Sequence, residues 1–172
     1  MARDFKTPER HIIYDAGASS ITATLISFSS QPPPNNGGKV LKSSVKNVTE
    51  VETLAFGFDT VATGTELDRR LRNKLLQKFE NQHGMVIKDY PRAFVRLWKE
   101  AQRVKGVLSA NTESPVRIES LAGDIDFKDS IKRADFEDLA SDLVPRFTRP
   151  ITDALAAAGL TLVCSPPFTR RF

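Results

Sequence analysis

One cysteine, Cys164, stands in the 172 residues, so no internal disulfide can staple the fold. Histidine is nearly as scarce: His11 and His83 lie far apart and neither has a ligand-like neighbour set, so they read as a strand-edge and a helix-end residue. The signatures G-x-x-x-x-G-K-[ST], G-x-G-x-x-G and H-E-x-x-H are all absent. No apolar run approaches the ~20 residues of a membrane span; the best, Ala154 to Cys164, is short and interrupted by Thr161. "MARDFKTPER" has no apolar core of the kind a secretory signal needs, so this chain carries no visible signal peptide. With one tryptophan and two tyrosines beside 11 phenylalanines spaced mostly as core, no aromatic nucleic-acid face is evident. Trp98, beside Leu97, reads as core. The triplet Asn47-Val48-Thr49 has the form of a glycan acceptor, but such triplets arise by chance about once in a chain of this length.

What remains is a globular composition, 40% hydrophobic and 27% charged, in a length that buries roughly 70% of its unfolded surface as one domain or one lobe. The net charge of +4 is unevenly spread. Residues 69–105 hold eleven Lys/Arg against Glu80, Asp89 and Glu100, and residues 113–142 hold nine Asp/Glu against four Lys/Arg. A basic block suits an anionic ligand, a nucleic acid or an acidic partner; equally, it suits a solvated helix face.

The first half reads as an antiparallel meander. His11–Asp15 and Ile21–Phe28 are rich in β-branched and aromatic residues around a Gly17–Ser20 turn, and Lys39–Asn47 with Val51–Phe58 suggests a second strand pair. Between them, "SSQPPPNNGG" is loop. From Gly64 the pattern turns helical. Leu67, Leu71, Leu75 and Phe79 form one stripe ending at His83-Gly84; Pro91 opens a second helix with Phe94, Leu97, Ala101, Val104 and Leu108. Gly106 inside that helix costs about 1 kcal/mol relative to alanine, which calls for a packing or ligand reason. Val116–Leu121 and Ile125–Phe127 read as strands, and Ala134–Val144 and Ile151–Ala158 as helices separated by Pro145 and Pro150. Strands, helices, strands and helices in that order indicate an α/β or α+β lobe.

"DAGASS", residues 15–20, raises the functional question. Small residues let backbone amides approach phosphate oxygens, Ser19 and Ser20 add hydroxyl donors, and Asp15 at a strand end suits the water shell of a magnesium ion. A tight hairpin in which aspartate favours the turn explains the same residues.

Five blocks in order, "IIYDAGASSITATLISF", "ATGTELDRRLRNKLLQKF", "PRAFVRLWKEAQRVKGVLSAN", "IESLAGDIDFKDSIKRADFEDL" and "PITDALAAAGL", resemble lobe II of the actin-like ATPase domain of the heat-shock protein 70 superfamily. The wording is most similar to the large endoplasmic-reticulum branch, the 170-kDa glucose-regulated or hypoxia up-regulated type. The resemblance covers roughly Arg3 to Leu162 and implies an α/β fold: a ribonuclease H-like lobe with an antiparallel meander, a helical pair and a small α/β subdomain.

By that resemblance, Asp15 and Gly17 match the second phosphate loop. Ala18 and Ser19 replace further glycines, and Ser20 stands at the hydroxyl position. Gly64 lies in a turn that usually reads Gly-Gly-Glu-Asp, with Thr63 and Thr65 as departures. Lys105 and Ser109 match positions that contact adenosine; Gln102 replaces an acid there, and Gly106 replaces an arginine that packs on the base, opening the adenine pocket. The implied cofactor is ATP or ADP with Mg, the metal reached by Asp15 through water. The implied whole protein is an ATP-binding chaperone of the endoplasmic reticulum lumen that assists folding in the stress response. It exchanges nucleotide on a smaller lumenal heat-shock-70 partner and holds unfolded polypeptides, with no nucleic acid or membrane as partner.

Two departures set expectations for this chain. The first lobe is missing, so the chain alone should be inactive or very weak as an ATPase. After Leu162 the expected Gly-Gly strand gives way to "CSPPFTRRF", whose Pro166-Pro167 cannot extend a central strand; residues 163–172 read as an atypical tail of a truncated or mis-spliced product. The rival readings are a sugar-kinase-like member of the same superfold and a basic nucleic-acid-binding domain using residues 69–105.

Overall fold

The computed structural model describes residues 5–32, 47–87 and 90–162. Residues 39–46 of the expected Lys39–Asn47 strand and the tail 163–172 lie outside them. Five strands and four helices follow in the order β1 (Glu9–Ala16), β2 (Ile21–Gln31), β3 (Val48–Asp59), α1 (Gly64–His83), α2 (Pro91–Leu108), β4 (Glu113–Ala122), β5 (Ile125–Lys132), α3 (Arg133–Ala140) and α4 (Val144–Ala157), with a 3₁₀ turn at Ser141–Leu143. This mixed α/β content with antiparallel sheets is the fold class the sequence implies. The chain divides into two compact units, one of which holds β1, β2, β3 and the chain from Thr148, and the other Gly17–Ser20 and Thr60–Phe147.

In the first unit the sheet order is β1-β2-β3, antiparallel throughout, with Tyr14 opposite Ala23 and Ala23 opposite Gly57. Alternation decides the faces: Ile21, Ala23 and Leu25 are buried, while Thr22 and Thr24 are half-exposed. Gly57, opposite Ala23, shares its face, and an ideal Cβ there would lie 2.2 Å from the Pro150 carbonyl oxygen and 3.0 Å from the Ala154 nitrogen. A glycine in a strand interior here marks the place where a helix backbone presses on the sheet.

α4 corrects one expectation. Pro145 and Pro150 do not separate two helices; α4 runs from Val144 through both, with Pro150 inside it and buried. Pro145 falls in the first turn, where the missing N–H has no helical partner to lose. Pro150 forfeits one backbone bond but buries its ring and brings its carbonyl onto Gly57, a tertiary contact that outweighs local helix preference.

In the second unit β4 and β5 form a hairpin closed by Gly123 and Asp124, both at positive φ (56° and 61°), the two-residue turn that matches the twist of antiparallel strands. Ser114, Val116 and Ile118 point inward and Pro115, Arg117 and Glu119 outward. Val116 and Ile118 join Phe127, Ile131, Phe79 and the buried stripe of α2 in one core, with the Phe79 and Phe127 rings edge to face at 5.5 Å.

The two long helices begin where proline and the Gly64 pattern change place them. Ala93, Leu97, Ala101, Val104 and Leu108 are buried on α2. On α1 the buried stripe is Asp68, Leu71, Leu75 and Phe79 rather than one starting at Leu67, which is half-buried. At about 100° per residue, Leu67 lies about 120° around the axis from Phe79, whereas Asp68 lies about 20° away. Strict four-residue spacing drifts off the core face, and the first inward position falls to an aspartate. Phe94 and Trp98 are likewise half-buried; Phe94 packs against the core's edge, and Arg72 lays its guanidinium 5.2 Å from each ring centre.

Candidate functional site

The loop Gly17–Ser20 is built as a tight turn: the Gly17 amide donates to the Ser20 carbonyl at 2.9 Å. Its outward carbonyls then receive the start of α1. Gly64 N–H donates to Gly17 O at 3.1 Å and Thr65 N–H to Ala18 O at 3.0 Å. Thr63 caps the same end, its hydroxyl accepting from the Glu66 amide at 3.2 Å, so the first three amides of α1 are all engaged. The helix end itself therefore has little left to offer an anion. The loop does: the amides of Ala18 and Ser19 and the hydroxyls of Ser19 and Ser20 meet no hydrogen-bond partner among the described residues. Ala18 and Ser19 are exposed, and Gly17 and Ser20 half-buried.

Lys105 completes this corner. Its ammonium donates to Gly64 O at 3.1 Å and stands 2.7 Å from Asp68 Oδ1. The Gly64 carbonyl receives the aligned hydrogen bond, and the Asp68 contact is an ion pair without that alignment. Asp68 is 4% exposed, which makes Lys105 its charge partner in a buried setting. The contacts of Lys105 near the end of α2 with the start of α1, and of Arg72 with Phe94 and Trp98 near the start of α2, run the two helices antiparallel.

The remaining sequence-predicted site residues are spread. Gln102, Lys105, Gly106 and Ser109 fall on one face of α2 by helical spacing, but only Lys105 touches the α1 start. Gln102, Gly106 and Ser109 are exposed, and the Ser109 hydroxyl donates to the Gly106 carbonyl at 2.6 Å. A Cβ on Gly106 would meet nothing within 4 Å, so a packing reason for this glycine is not borne out. Asp15 is exposed, its backbone paired with Thr22 at the end of β1. The structure thus brings Gly17, Ala18, Gly64 and Lys105 together. Asp68 was missed, since an acid within an apolar stripe reads as a solvated residue until the phase of the helix is known.

The basic block is largely spent inside the protein. Glu66 accepts from Arg69 and Arg70, Arg70 also holds Asp142 and the Leu139 carbonyl, and Lys78 pairs with Asp129 at 2.9 Å. Arg72 stacks on rings, Arg96 reaches Ser120 O, and Arg103 pairs with Glu100. Hydrogen bonding from Arg69, with Arg70 behind it, holds Glu66 down from 4.5 to about 2, and Arg70 lowers Asp142 as well. Such pairing is what a folded helical surface needs; among the described residues of this stretch Lys74, Arg92 and Lys99 remain without a partner. Both histidines sit as expected, His11 edge-on to Phe28 and His83 at the end of α1 against Phe79. Among the described residues no group of three His, Cys, Asp or Glu could hold a metal, and no helix is long and apolar enough to cross a membrane.

Comparison with known proteins adds a family. The sequence model of the Hsp70 protein family matches residues 36–163. "Heat shock protein 70 homolog lhs1" of Schizosaccharomyces pombe is 40% identical over 162 residues, 94% of this chain and 18% of that protein. "Hypoxia up-regulated protein 1" of Gallus gallus is 36% identical over 152 residues, 88% of this chain and 14% of that protein. "Heat shock 70 kDa protein 17" of Arabidopsis thaliana is 33% identical over 163 residues, 93% of this chain and 18% of that protein. The chain therefore spans less than a fifth of the length of these relatives.

Proposed function

The chain belongs to the Hsp70 family, and from that premise we propose that it is the lobe II portion of the nucleotide-binding domain of a large chaperone of the endoplasmic reticulum. The observation that carries the reading is the division of labour in the Gly17–Ser20 loop. Its carbonyls are used to seat the start of α1, while its outer amides and hydroxyls are left to donate. A loop that leaves two amides and two hydroxyls without partners suits phosphate oxygens, and a plain hairpin has no need to anchor its carbonyls on a distant helix.

These groups fit a magnesium nucleotide. The Ala18 and Ser19 amides and the Ser19 and Ser20 hydroxyls would donate to phosphate oxygens. The exposed Asp15 carboxylate would accept from the water shell of the metal, which when bound neutralises phosphate charge. Lys105 keeps a third N–H beyond its two partners for the nucleoside, joined by Ser109 on the same face of α2. Gly106 leaves space beside that face instead of a stacking group. With one side of the nucleotide supplied, the phosphates remain wet. Electrostatic contacts are then weak, and affinity no tighter than about millimolar, some 4 kcal/mol, follows. Phosphoryl transfer needs groups on both sides, so the chain alone turns over little or no ATP.

The relatives' names, one a heat shock protein 70 homolog and the other hypoxia up-regulated, support a stress-responsive chaperone. The wider reading, a lumenal protein that assists folding, holds unfolded chains and exchanges nucleotide on a smaller heat-shock-70 partner, rests on the resemblance of its five sequence blocks to the large endoplasmic-reticulum branch. Joining the chain to a matching first lobe tests this. The joined protein should bind Mg-ADP at least tenfold more tightly than the chain alone, and unchanged affinity would contradict the lobe II reading.

A further inference from the structure

We propose that Asp68 is a positioning residue: its buried carboxylate anchors the Lys105 ammonium on the start of α1, and so holds the whole Gly17–Gly64 junction in register. This rests on the nucleotide reading above and deepens it.

The geometry is a chain of close polar contacts, one ion pair and two hydrogen bonds. Asp68 Oδ1 lies 2.7 Å from Lys105 Nζ, Lys105 Nζ 3.1 Å from Gly64 O, and the Gly64 amide 3.1 Å from Gly17 O. The links are short, and together they tie α1 to α2 and to the Gly17–Ser20 loop. Asp68 occupies a core position on α1, flanked one turn on by the fully buried Leu71. A carboxylate there is costly to bury unless it is paired, and among the described residues Lys105 is its charged neighbour. Lysine would otherwise be a poor anchor, because its four-carbon stem is flexible and its ammonium well hydrated. The Lys105 side chain is in fact about one-third exposed, at 31%. Held by a hydrogen bond to Gly64 O and by the charge of Asp68, the ammonium is confined to this corner instead of free to wander. A leucine at position 68 would complete the apolar stripe. It would also release Lys105 and unload the Gly64 carbonyl.

A purely structural Asp68 makes a different prediction from an anchoring one, and a double-mutant cycle on the full chain separates them. Mg-ADP binding, followed by amide shifts, is measured for the native chain, Asp68→Asn, Lys105→Met and the double variant. Asp68→Asn is expected to weaken binding about fivefold on its own, and less than twofold once Lys105 is gone, because it acts through that residue. Additive losses overturn the proposal. The second readout needs no variant and no nucleotide: with ¹⁵N-lysine, the Lys105 ammonium should be markedly more rigid than that of exposed Lys99. Equal mobility overturns the proposal whether or not nucleotide binds. A rigid Lys105 in a chain that shows no Mg-ADP shifts refutes the nucleotide reading and leaves the anchor standing.

Discussion

Gly64 donates its amide to the carbonyl of Gly17 at 3.1 Å, so the first residue of a 20-residue helix is seated on a loop 47 positions earlier in the chain. That bond leaves little room for a side chain: a Cβ on Gly64 would lie 3.3 Å from Gly17 O and 3.4 Å from the Ala18 Cα. Alanine could be accommodated by a shift of a few tenths of an ångström, but a branched residue could not. Gly64→Val is expected to lower stability by about 1–3 kcal/mol through overpacking. It should also speed hydrogen exchange of the Thr65 amide, which loses its hold on Ala18. Urea unfolding and exchange measured on the same variant check both.

Gly57 is the corresponding point in the β1-β2-β3 unit. Its missing Cβ is replaced by the Pro150 carbonyl at 2.2 Å from the ideal position, a backbone atom that cannot rotate away. Gly57→Ala should cost about 2 kcal/mol or more, since either α4 or β3 must move. A melting temperature unchanged within about 1 °C would contradict that packing.

Gly106 should behave in the opposite way. It sits in a helix interior with open space around it, so Gly106→Ala is expected to stabilise by about 1 kcal/mol without touching the fold. Gly106→Arg supplies the stacking group that the proposed adenosine site lacks and should tighten Mg-ADP binding several-fold. Thermal melts and nucleotide titration of the two variants separate helix propensity from base stacking.

Acid should loosen the α1 start. Glu66 is held at about 2 in the folded protein by hydrogen bonds from Arg69 and Arg70, below its ordinary 4.5. A depressed carboxyl stabilises the folded state above its unfolded value, and that contribution is lost as pH falls from about 4.5 toward 2. The exposed flank of the pair in solvent keeps the effect modest. Glu66→Gln should flatten the fall in melting temperature across that window and leave the slope above pH 5 unchanged.

The elements whose signals are local were legible in the sequence. Leu71, Leu75 and Phe79 with the Gly84 stop marked α1, and Pro91 marked the start of α2. Ile21–Phe28 announced a strand by its β-branched residues. What could not be read depended on partners distant in sequence. Pro150 looks like a helix break until Gly57 is seen beneath it, and Asp68 looks solvated until Lys105 is seen beside it. Arg72 looks like part of a basic ligand surface until its guanidinium is found on Phe94 and Trp98. At the candidate site, "DAGASS" suggested a phosphate loop, but nothing in those residues revealed that Gly17 and Ala18 spend their carbonyls on α1.

A titration of the ¹⁵N-labelled chain with Mg-ADP, read amide by amide up to about 20 mM, tests the nucleotide reading most directly, because it detects binding as weak as millimolar. Shifts are expected to saturate near or above 1 mM. They should centre on Ala18, Ser19, Ser20, Gly64 and Thr65, extend to Lys105 and Ser109, and disappear in the Asp15→Ala variant when magnesium is required. Shifts absent at 20 mM, or centred instead on the β4–β5 hairpin, would contradict a phosphate loop at Gly17–Ser20.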